Sequence, residues 1–240
     1  MTNDAVQKQD PALTAPPSPF RVAPGRVCYP EALGAAASDA GLRKAERTRL
    51  RILAGAAGLL NDADRAPLTM PAAAAAAGVA HGTVYLHFAD RPALEAATAE
   101  GFAHFLRDHL AQVRDGAPGS EQRVRAATRR YVDLFAANAG LMRCLTQAGE
   151  RDGPFRRVFH ALNRDWNGRV ARAMQAQRAA VGAPIGAQEA LYAAYALDGM
   201  VDEFLAQIHI RRDPALARLR ADPEATTELL ARLWRAAAKG

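Results

Sequence analysis

Residues 69–94 read TMPAAAAAAGVAHGTVYLHFADRPAL, and this stretch decides the fold. Thr69 predicts the start of a short helix, because its hydroxyl can accept a hydrogen bond from a backbone N–H group that the first turn leaves unpaired. Pro71 is tolerated in that turn, where no intrahelical donor is needed. Gly78 predicts the end of the helix, since glycine readily adopts the left-handed conformation that turns the chain sharply.

A second short helix is predicted from Ala80 to Phe88, with Val79, Val84 and Phe88 spaced to face inward. The outer side carries polar, hydrogen-bonding residues, which are His81, Thr83, Tyr85 and His87. Two short helices joined by a tight turn are typical of a helix-turn-helix, whose second helix enters the major groove of DNA. We therefore expect double-stranded DNA as a partner.

This pattern resembles the TetR family of transcriptional regulators most closely at residues 77–79, 82–88 and 90–94. The resemblance is detailed over residues 43–94, and beyond them only the helical layout is similar. It implies an all-α fold, in which an N-terminal three-helix DNA-binding domain precedes a helical bundle for ligand binding and dimerisation. It also implies a repressor that binds a palindromic operator as a homodimer and is released by a small-molecule effector.

The expected roles of the second helix follow from its geometry and from the resemblance. Gly82 and Thr83 are short enough to let the backbone approach the bases, and His81 can bond a purine edge. By resemblance to the family, Tyr85 and His87 contact phosphates, although both also suit half-buried helix residues. The predicted DNA-binding set is Thr69, His81, Gly82, Thr83, Tyr85, His87, Arg91 and Arg47.

Arg47 belongs to a basic cluster within residues 43–51, at the start of a helix that precedes the motif. Beside a helix-turn-helix, such cations can neutralise phosphates and release counterions. A solvated charged face is the alternative interpretation, because most arginine-rich stretches have that role. The helix-turn-helix domain is predicted to span residues 41–94.

Composition narrows the class of protein. Half of the 240 residues are hydrophobic, 6% are aromatic, and the formal net charge is +6, which suits a polyanionic partner without requiring one. Cys28 and Cys144 form neither a disulfide framework nor a metal cluster, so a reducing cytoplasm is expected. No stretch is apolar for long enough to predict a membrane span.

Residues 1–40 hold six of the 14 prolines and almost no periodic apolar face. Such a segment buries too little apolar surface to offset the entropy of folding, so a disordered tail is predicted. Its acidic residues slightly outnumber its basic ones, which makes a passive tail more favourable than an arm that contacts DNA.

The motif departs from the family pattern in three ways. The connection at 61–67 is longer and more acidic than usual, and Ala73 replaces a larger aliphatic residue, so Leu68, Met70 and Val79 are expected to fill the space. Ala80 replaces a common serine cap, which costs about 1 kcal/mol of helix stability.

Residues 95–240 are predicted to form the ligand-binding and dimerisation domain, entered through a helix that Asp90 caps. Apolar side chains with a few polar groups are typical of ligand cavities, although most aromatic residues at helical spacing simply fill a core. By analogy with the family, the candidate cavity residues are Phe105, Tyr131, Phe135, Met142, Phe159, Asn163 and Trp166.

The last two long helices are expected near residues 187–209 and 223–238. In the family they form a four-helix bundle between two subunits, whereas such apolar stripes often pack within one chain. The candidate interface residues are Leu191, Tyr195, Phe204, Leu230 and Trp234.

Two other functional classes remain open at this stage. One is a constitutive regulator whose helical body only dimerises or docks a protein partner. The other is a helical enzyme, but the sequence has no zinc, phosphate-loop or nucleophile-elbow motif. We accordingly predict no catalytic residue, no metal site and no cofactor.

Overall fold

The computed structural model describes residues 25–62, 67–117, 120–147 and 154–239. This part of the chain contains helices and turns but no strand, which confirms the all-α prediction. Its α-helices are α1 Tyr29–Ala36, α2 Lys44–Asn61, α3 Met70–Ala77, α4 His81–Tyr85, α5 Arg91–Ala111, α6 Glu121–Ala137, α7 Ala139–Gln147, α8 Pro154–Ala180, α9 Ala187–His209, α10 Ala217–Ala221 and α11 Pro223–Lys239. Within these ranges, no helix is long and apolar enough to cross a membrane.

Helix α1 corrects the prediction of a disordered tail, which is wrong for the last part of residues 1–40. Residues 1–24 lie outside the described residues, but Tyr29 and Leu33 are buried against the rest of the chain. The ring centroid of Tyr29 lies 5.5 Å from that of Phe102 and 5.2 Å from that of Phe105. Contacts with distant residues stabilise this helix, and a local reading of proline content does not reveal them.

The closest packing in the N-terminal domain is between α2 and α3. A Cβ atom on Gly55 would lie 3.0 Å from the backbone nitrogen of Ala77 and 3.2 Å from the carbonyl oxygen of Ala73. Glycine therefore lets the two helices approach closely, which offsets the small apolar area of the alanine-rich α3. Leu68 and Met70 are buried in the same core, as expected.

Helix α5 connects the two predicted domains. The Asp90 carboxylate caps it by accepting a hydrogen bond of 2.8 Å from the Ala93 N–H. Leu94, Phe102 and Leu106 are fully or almost fully buried along it, so one hydrophobic core continues from α2 through α5 into the body.

The chain is kinked at Asn138, because α6 ends at Ala137 and α7 begins at Ala139. Asn138 is completely buried at this kink. The two long helices expected near the C-terminus correspond to α9 and α11, whereas the short α10 between them was not predicted.

Candidate nucleic-acid interface and ligand cavity

The turn between α3 and α4 has the predicted geometry. The Thr69 hydroxyl accepts a hydrogen bond of 3.2 Å from the Ala72 N–H at the start of α3. Gly78 closes the helix with φ of 62°, a left-handed conformation that favours glycine. The Val79 N–H then bonds the Ala74 carbonyl at 3.0 Å, which fixes the direction in which α4 leaves the turn.

Helix α4 places its polar residues outward and its apolar residues inward. His81 and Gly82 are exposed, Thr83 is half-buried, and Val84 and Phe88 are buried. No atom lies within 4 Å of a Cβ built on Gly82, so packing within the chain does not require a glycine there. The missing side chain instead leaves room for close approach from outside.

The extent of α4 differs from the prediction at its C-terminal end. The α-helix stops at Tyr85, and residues 86–88 form a tight turn in which the N–H groups of His87 and Phe88 both bond the Val84 carbonyl, at 3.0 and 2.9 Å. Ala80 supplies no side-chain cap, as expected. Helix α4 is therefore short and depends on its neighbours for its position.

Tyr85 extends from this face with 48% of its surface exposed, and its ring meets that of His81 edge-on at 5.2 Å. Leu86 beside it is 83% exposed. The sequence interpretation gave Leu86 no role, and a single exposed leucine is common on protein surfaces.

Arg49 has a role that the sequence interpretation missed. Its guanidinium lies 4.5 Å from the centre of the Phe88 ring, so it packs beneath the end of the motif in a cation–π contact. Partial burial lowers the pKa of Arg49. Burial, and then the charge of Arg49, lower the pKa of His87, so this imidazole is neutral at pH 7 and offers hydrogen bonds rather than charge.

The two arginines of the predicted DNA-binding set already have partners in the chain. Arg91 is exposed and pairs with Glu95 at 2.7 Å. Arg47 is half-buried and donates to the Leu42 carbonyl at 2.7 Å. A guanidinium has five N–H donors, so both retain donors for phosphate oxygens.

The body contains a cavity of about 560 Å³ that is partly open to solvent, between α5, α6, α8, α9 and α11. A smaller cavity of about 40 Å³ shares Tyr131, Trp166 and Asp198 with it. Three other predicted residues, Met142, Phe159 and Asn163, line only the smaller cavity.

Two of the predicted cavity residues have different positions. Phe105 packs in the core against Tyr29 and His109, and Phe135 is fully buried and lines neither cavity. Both lie on the correct helices, but a helix has several apolar faces, and periodicity alone does not show which face borders a cavity.

Two carboxylates that the sequence interpretation overlooked lie at these cavities. Asp198 lines both of them and Asp202 lines the smaller one, one turn apart on α9. The Tyr131 hydroxyl donates a hydrogen bond to Asp202, and the Asn167 amide donates one of 3.0 Å to Asp198. Burial raises the pKa of both acids, and that of Asp202 also rises because Asp198 is near, to about 7.

Residues 52–98, which contain this helix-turn-helix, match the family model for bacterial regulatory proteins of the tetR family. Over this segment, the chain is similar to the DNA-binding domain of TetR family transcriptional regulators. The match supports a DNA-binding transcriptional regulator, and the matched segment includes α3 and α4.

Solved structures share the fold of this chain. The fatty acid degradation regulator FadR from Bacillus halodurans matches with a TM-score of 0.60 and 15% identity, over 78% of this chain and 94% of that one. FadR from Bacillus subtilis in complex with stearoyl-CoA matches with a TM-score of 0.55 and 16% identity, over 76% and 97%. Among curated proteins, none matches the chain.

The candidate interface residues of the regulator fall into different environments. Tyr195 is 42% exposed, whereas Leu191, Phe204 and Trp234 are partly buried against the core of their own chain. Leu230 is only 1% exposed, so its predicted place at a subunit surface is wrong. The apolar stripe of α11 that contains Leu230 mainly serves the chain's own core.

Helix α9 nevertheless has an exposed apolar face, here called the α9 face, which consists of Tyr192, Tyr195, Ala196, Gly199 and Met200. These residues recur at helical spacing along one side of the helix. No atom lies within 4 Å of a Cβ built on Gly199, so this side offers open space between large apolar side chains.

Two asparagines, the buried Asn138 and the half-buried Asn61, connect the body of the chain to its N-terminal helices. At the kink between α6 and α7, the Asn138 side chain donates to the Val27 carbonyl at 2.6 Å and accepts from the Tyr29 N–H at 2.8 Å. The Asn61 amide at the end of α2 donates to the Ala137 carbonyl at 3.0 Å. A Cβ on Gly140 would lie 2.3 Å from the Asn61 carbonyl oxygen, so α7 lies directly against the end of α2.

Proposed function

We propose that this regulator is a repressor that binds a near-palindromic operator as a homodimer and is released by a small molecule held in the body cavity. The observation that carries the DNA part is the outer face of α4. It combines an exposed His81, an exposed Gly82 with open space around it, and Thr83 at the start of a helix. Short residues there let the helix backbone enter the major groove.

Within this proposal, base contacts come from His81 and Thr83, and close approach comes from Gly82. Tyr85 and the neutral His87 donate hydrogen bonds to phosphates, while Arg91 and Arg47 add charge. Thr69 lies at the N-terminus of α3, where a helix favours an anionic group such as phosphate. The phosphate contacts set the register, and the base contacts select the sequence.

Dimerisation in this proposal uses the α9 face. A single short recognition helix covers only a few base pairs. High affinity therefore requires two DNA-binding domains, here called heads, separated by one helical turn of DNA or a multiple of it. A two-fold axis would bring the α9 faces of two copies together, with Ala196 and Gly199 allowing close approach between the large side chains of Tyr192, Tyr195 and Met200. Leu230 has no part in this interface.

Release by an effector follows the connection between cavity and head. Tyr131 lies on the wall of the cavity, two turns before Asn138 on the same side of the α6–α7 segment. A ligand that displaces α6 relative to α9 shifts the Asn138 and Asn61 contacts, and with them α1 and α2. The ligand then favours a state in which the two heads no longer match the groove spacing.

The complex of Bacillus subtilis FadR with stearoyl-CoA supports a body that takes a lipophilic ligand, because that protein has the same fold. The cavity of about 560 Å³ in this chain lies within the range of small-molecule sites, and apolar side chains form most of its wall.

A selection from fragmented genomic DNA, read together with the mass of the DNA-bound species, tests this proposal. The expected result is an inverted repeat bound by two copies of the chain. Enriched fragments without any common motif would contradict the DNA part. If two copies bind a motif and no ligand that fills the cavity weakens this binding, the chain is a constitutive regulator and the proposed release by an effector is wrong.

A further inference from the structure

We infer that the body cavity selects lipophilic cations, such as long-chain amines, by presenting Asp198 and Asp202 to the positively charged head of the ligand. This inference deepens the proposed function by naming the chemical class of the effector, and it rests on that proposal for the consequence that such a ligand releases DNA.

The first observation is that no cation among the described residues pairs with either acid. Among the described residues, Asp202 bonds only the Tyr131 hydroxyl and Asp198 bonds only the Asn167 amide. Buried carboxylates are almost always compensated by a cation or by several donors, because removal from water is costly for the charged form. Here each acid has one neutral donor, and the two acids repel one another.

Asn167 supplies a second, independent observation. Its side chain is completely buried, and its Nδ2 atom bonds Asp198. Its Oδ1 atom has no hydrogen-bond partner in the described part of the chain. An unpaired acceptor beside two carboxylates leaves an excess of acceptors at one place. The missing complement is a group that donates several hydrogen bonds and carries positive charge, which describes an ammonium or guanidinium.

The walls around this site suit the rest of such a ligand. Tyr131, Trp166 and Trp234 present aromatic surface to the main cavity, together with Val170 and Met174. Aromatic faces attract cations, and the apolar side chains take an alkyl or ring system. The cavity therefore combines an acidic place with aromatic and apolar walls.

Arginines also line the main cavity, but they are already engaged. Arg235 pairs with Glu121, and Arg169 pairs with Asp165 at 2.7 Å. Arg114 and Arg123 donate to main-chain carbonyls of residues 111–116. Arg114 and Arg169 are exposed, so water screens their charges, whereas Asp198 is buried where it lines both cavities and the half-buried Asp202 lines the smaller one.

The test compares three probes of equal length on the full chain: decylamine, decanol and decanoate, all below the concentrations at which they form micelles. The sequence has two tryptophans, Trp166 and Trp234, and both line the cavity, so intrinsic fluorescence reports its occupation. Decylamine, which is cationic at pH 8, should bind at least ten times more tightly than decanol, and decanoate should bind more weakly than decanol. Equal affinity for amine and alcohol, or tightest binding of decanoate, would overturn the inference.

Variants identify the acids responsible. Asp198→Asn and Asp202→Asn should each reduce decylamine affinity at least tenfold and leave decanol affinity unchanged. Asp133→Asn is the matched control, since it removes a carboxylate that pairs with Arg129 and lines neither cavity. Decanol binding shows that each variant keeps a folded cavity. Wild-type amine affinity in both cavity variants would contradict the assignment.

DNA release is measured separately, so the two proposals can fail independently. Amine binding that leaves the DNA complex intact supports the cation site and contradicts the proposed release by an effector. Release by decanoate or stearoyl-CoA, without a response to decylamine, supports the repressor proposal and overturns the cation site.

Discussion

The DNA-binding head and the body cavity owe their properties to residues at very different distances along the chain. In the head, α3 and α4 present their functional residues within 26 consecutive positions, and their caps and turn are local. In the body, the acids of α9 meet Tyr131 of α6 and Asn167 of α8, which are 71 and 31 positions away. The residues of a local surface can be predicted from the sequence, whereas the residues that line a cavity depend on how distant helices pack.

The largest predicted effect is at Gly82, where a substitution should weaken DNA binding and leave the cavity unchanged. Because its Cβ position is open, Gly82→Leu should fold normally, yet the added side chain would hold the backbone of α4 away from the bases. We predict at least a 100-fold loss of operator affinity, about 2.7 kcal/mol, with unchanged ligand binding in the cavity, both measured by titration. Gly34→Leu on α1 is the control, since its Cβ position is also open. Wild-type operator affinity in Gly82→Leu would show that α4 does not enter the groove.

The connection between the regions is tested at Asn138. Asn138→Ala removes hydrogen bonds to Val27, Tyr29 and the Leu134 carbonyl at a completely buried position. The unsatisfied backbone groups and the space left behind should lower the free energy of unfolding by about 2–4 kcal/mol. Chemical denaturation measures this loss, and the effector-dependent change in operator affinity should shrink in the same variant. If the variant is destabilised but the effector still changes operator affinity as in the wild type, the connection between the cavity and the DNA-binding domain runs through α5 and not through Asn138.

The body alone should respond to pH through Asp202. Its pKa of about 7 in the folded chain is above the ordinary value of 3.8, because burial and the charge of Asp198 disfavour the ionised form. Between those values the folded chain keeps a proton that the unfolded chain releases, so this group's contribution to stability is lost as pH rises. The charged and polar groups that line the smaller cavity with it are Tyr131 on α6, Asn163, Asp165 and Arg169 on α8, Arg107 on α5 and Asp198 on α9.

Asp202→Asn removes that titration. From pH 5 to pH 8, the wild-type chain should lose roughly 1–3 kcal/mol of unfolding free energy relative to this variant. Denaturation curves at several pH values measure the difference, with Asp133→Asn as the control for a loss of charge at an ion-paired site. A constant difference between wild type and Asp202→Asn would mean that the acid is ionised throughout.

The smallest predicted effect concerns the head. Ala80→Ser supplies the cap that α4 lacks and should add about 0.5–1 kcal/mol to the stability of the helix. Hydrogen exchange of the amides in residues 82–85 should slow accordingly, while exchange in α9 should remain as it is. Faster exchange in the variant would indicate that the serine hydroxyl does not reach the backbone N–H groups.

The accuracy of the sequence interpretation follows the same division. Thr69, Gly78 and Asp90 act as the predicted helix boundaries, because capping depends on a residue and its next few neighbours. Helix α1 escaped prediction since the aromatic rings of α5 and the side chain of Asn138 hold it in place. No pattern within residues 29–36 encodes those partners.

In the body, periodicity identified the helices but not the roles of their faces. Asp198 and Asp202 lie among the buried residues Leu197, Val201 and Leu205, and this spacing was an available signal that both acids face inward. Leu230 and Phe135 belong to the core, although they were predicted as interface and cavity residues. An apolar stripe on a helix has the same sequence pattern whether it packs against the core, a cavity or a second subunit. Only the packed structure distinguishes these cases.

The measurement that tests the central claim most directly is operator binding by Thr83→Ala and Arg91→Ala across several salt concentrations and a set of operator variants. If the outer face of α4 reads DNA, Thr83→Ala changes the base preference and keeps the salt dependence. Arg91→Ala then keeps the preference, weakens all sequences alike and reduces the slope of log affinity against log salt by about one. Both variants behaving like the wild type would contradict the assignment of this face.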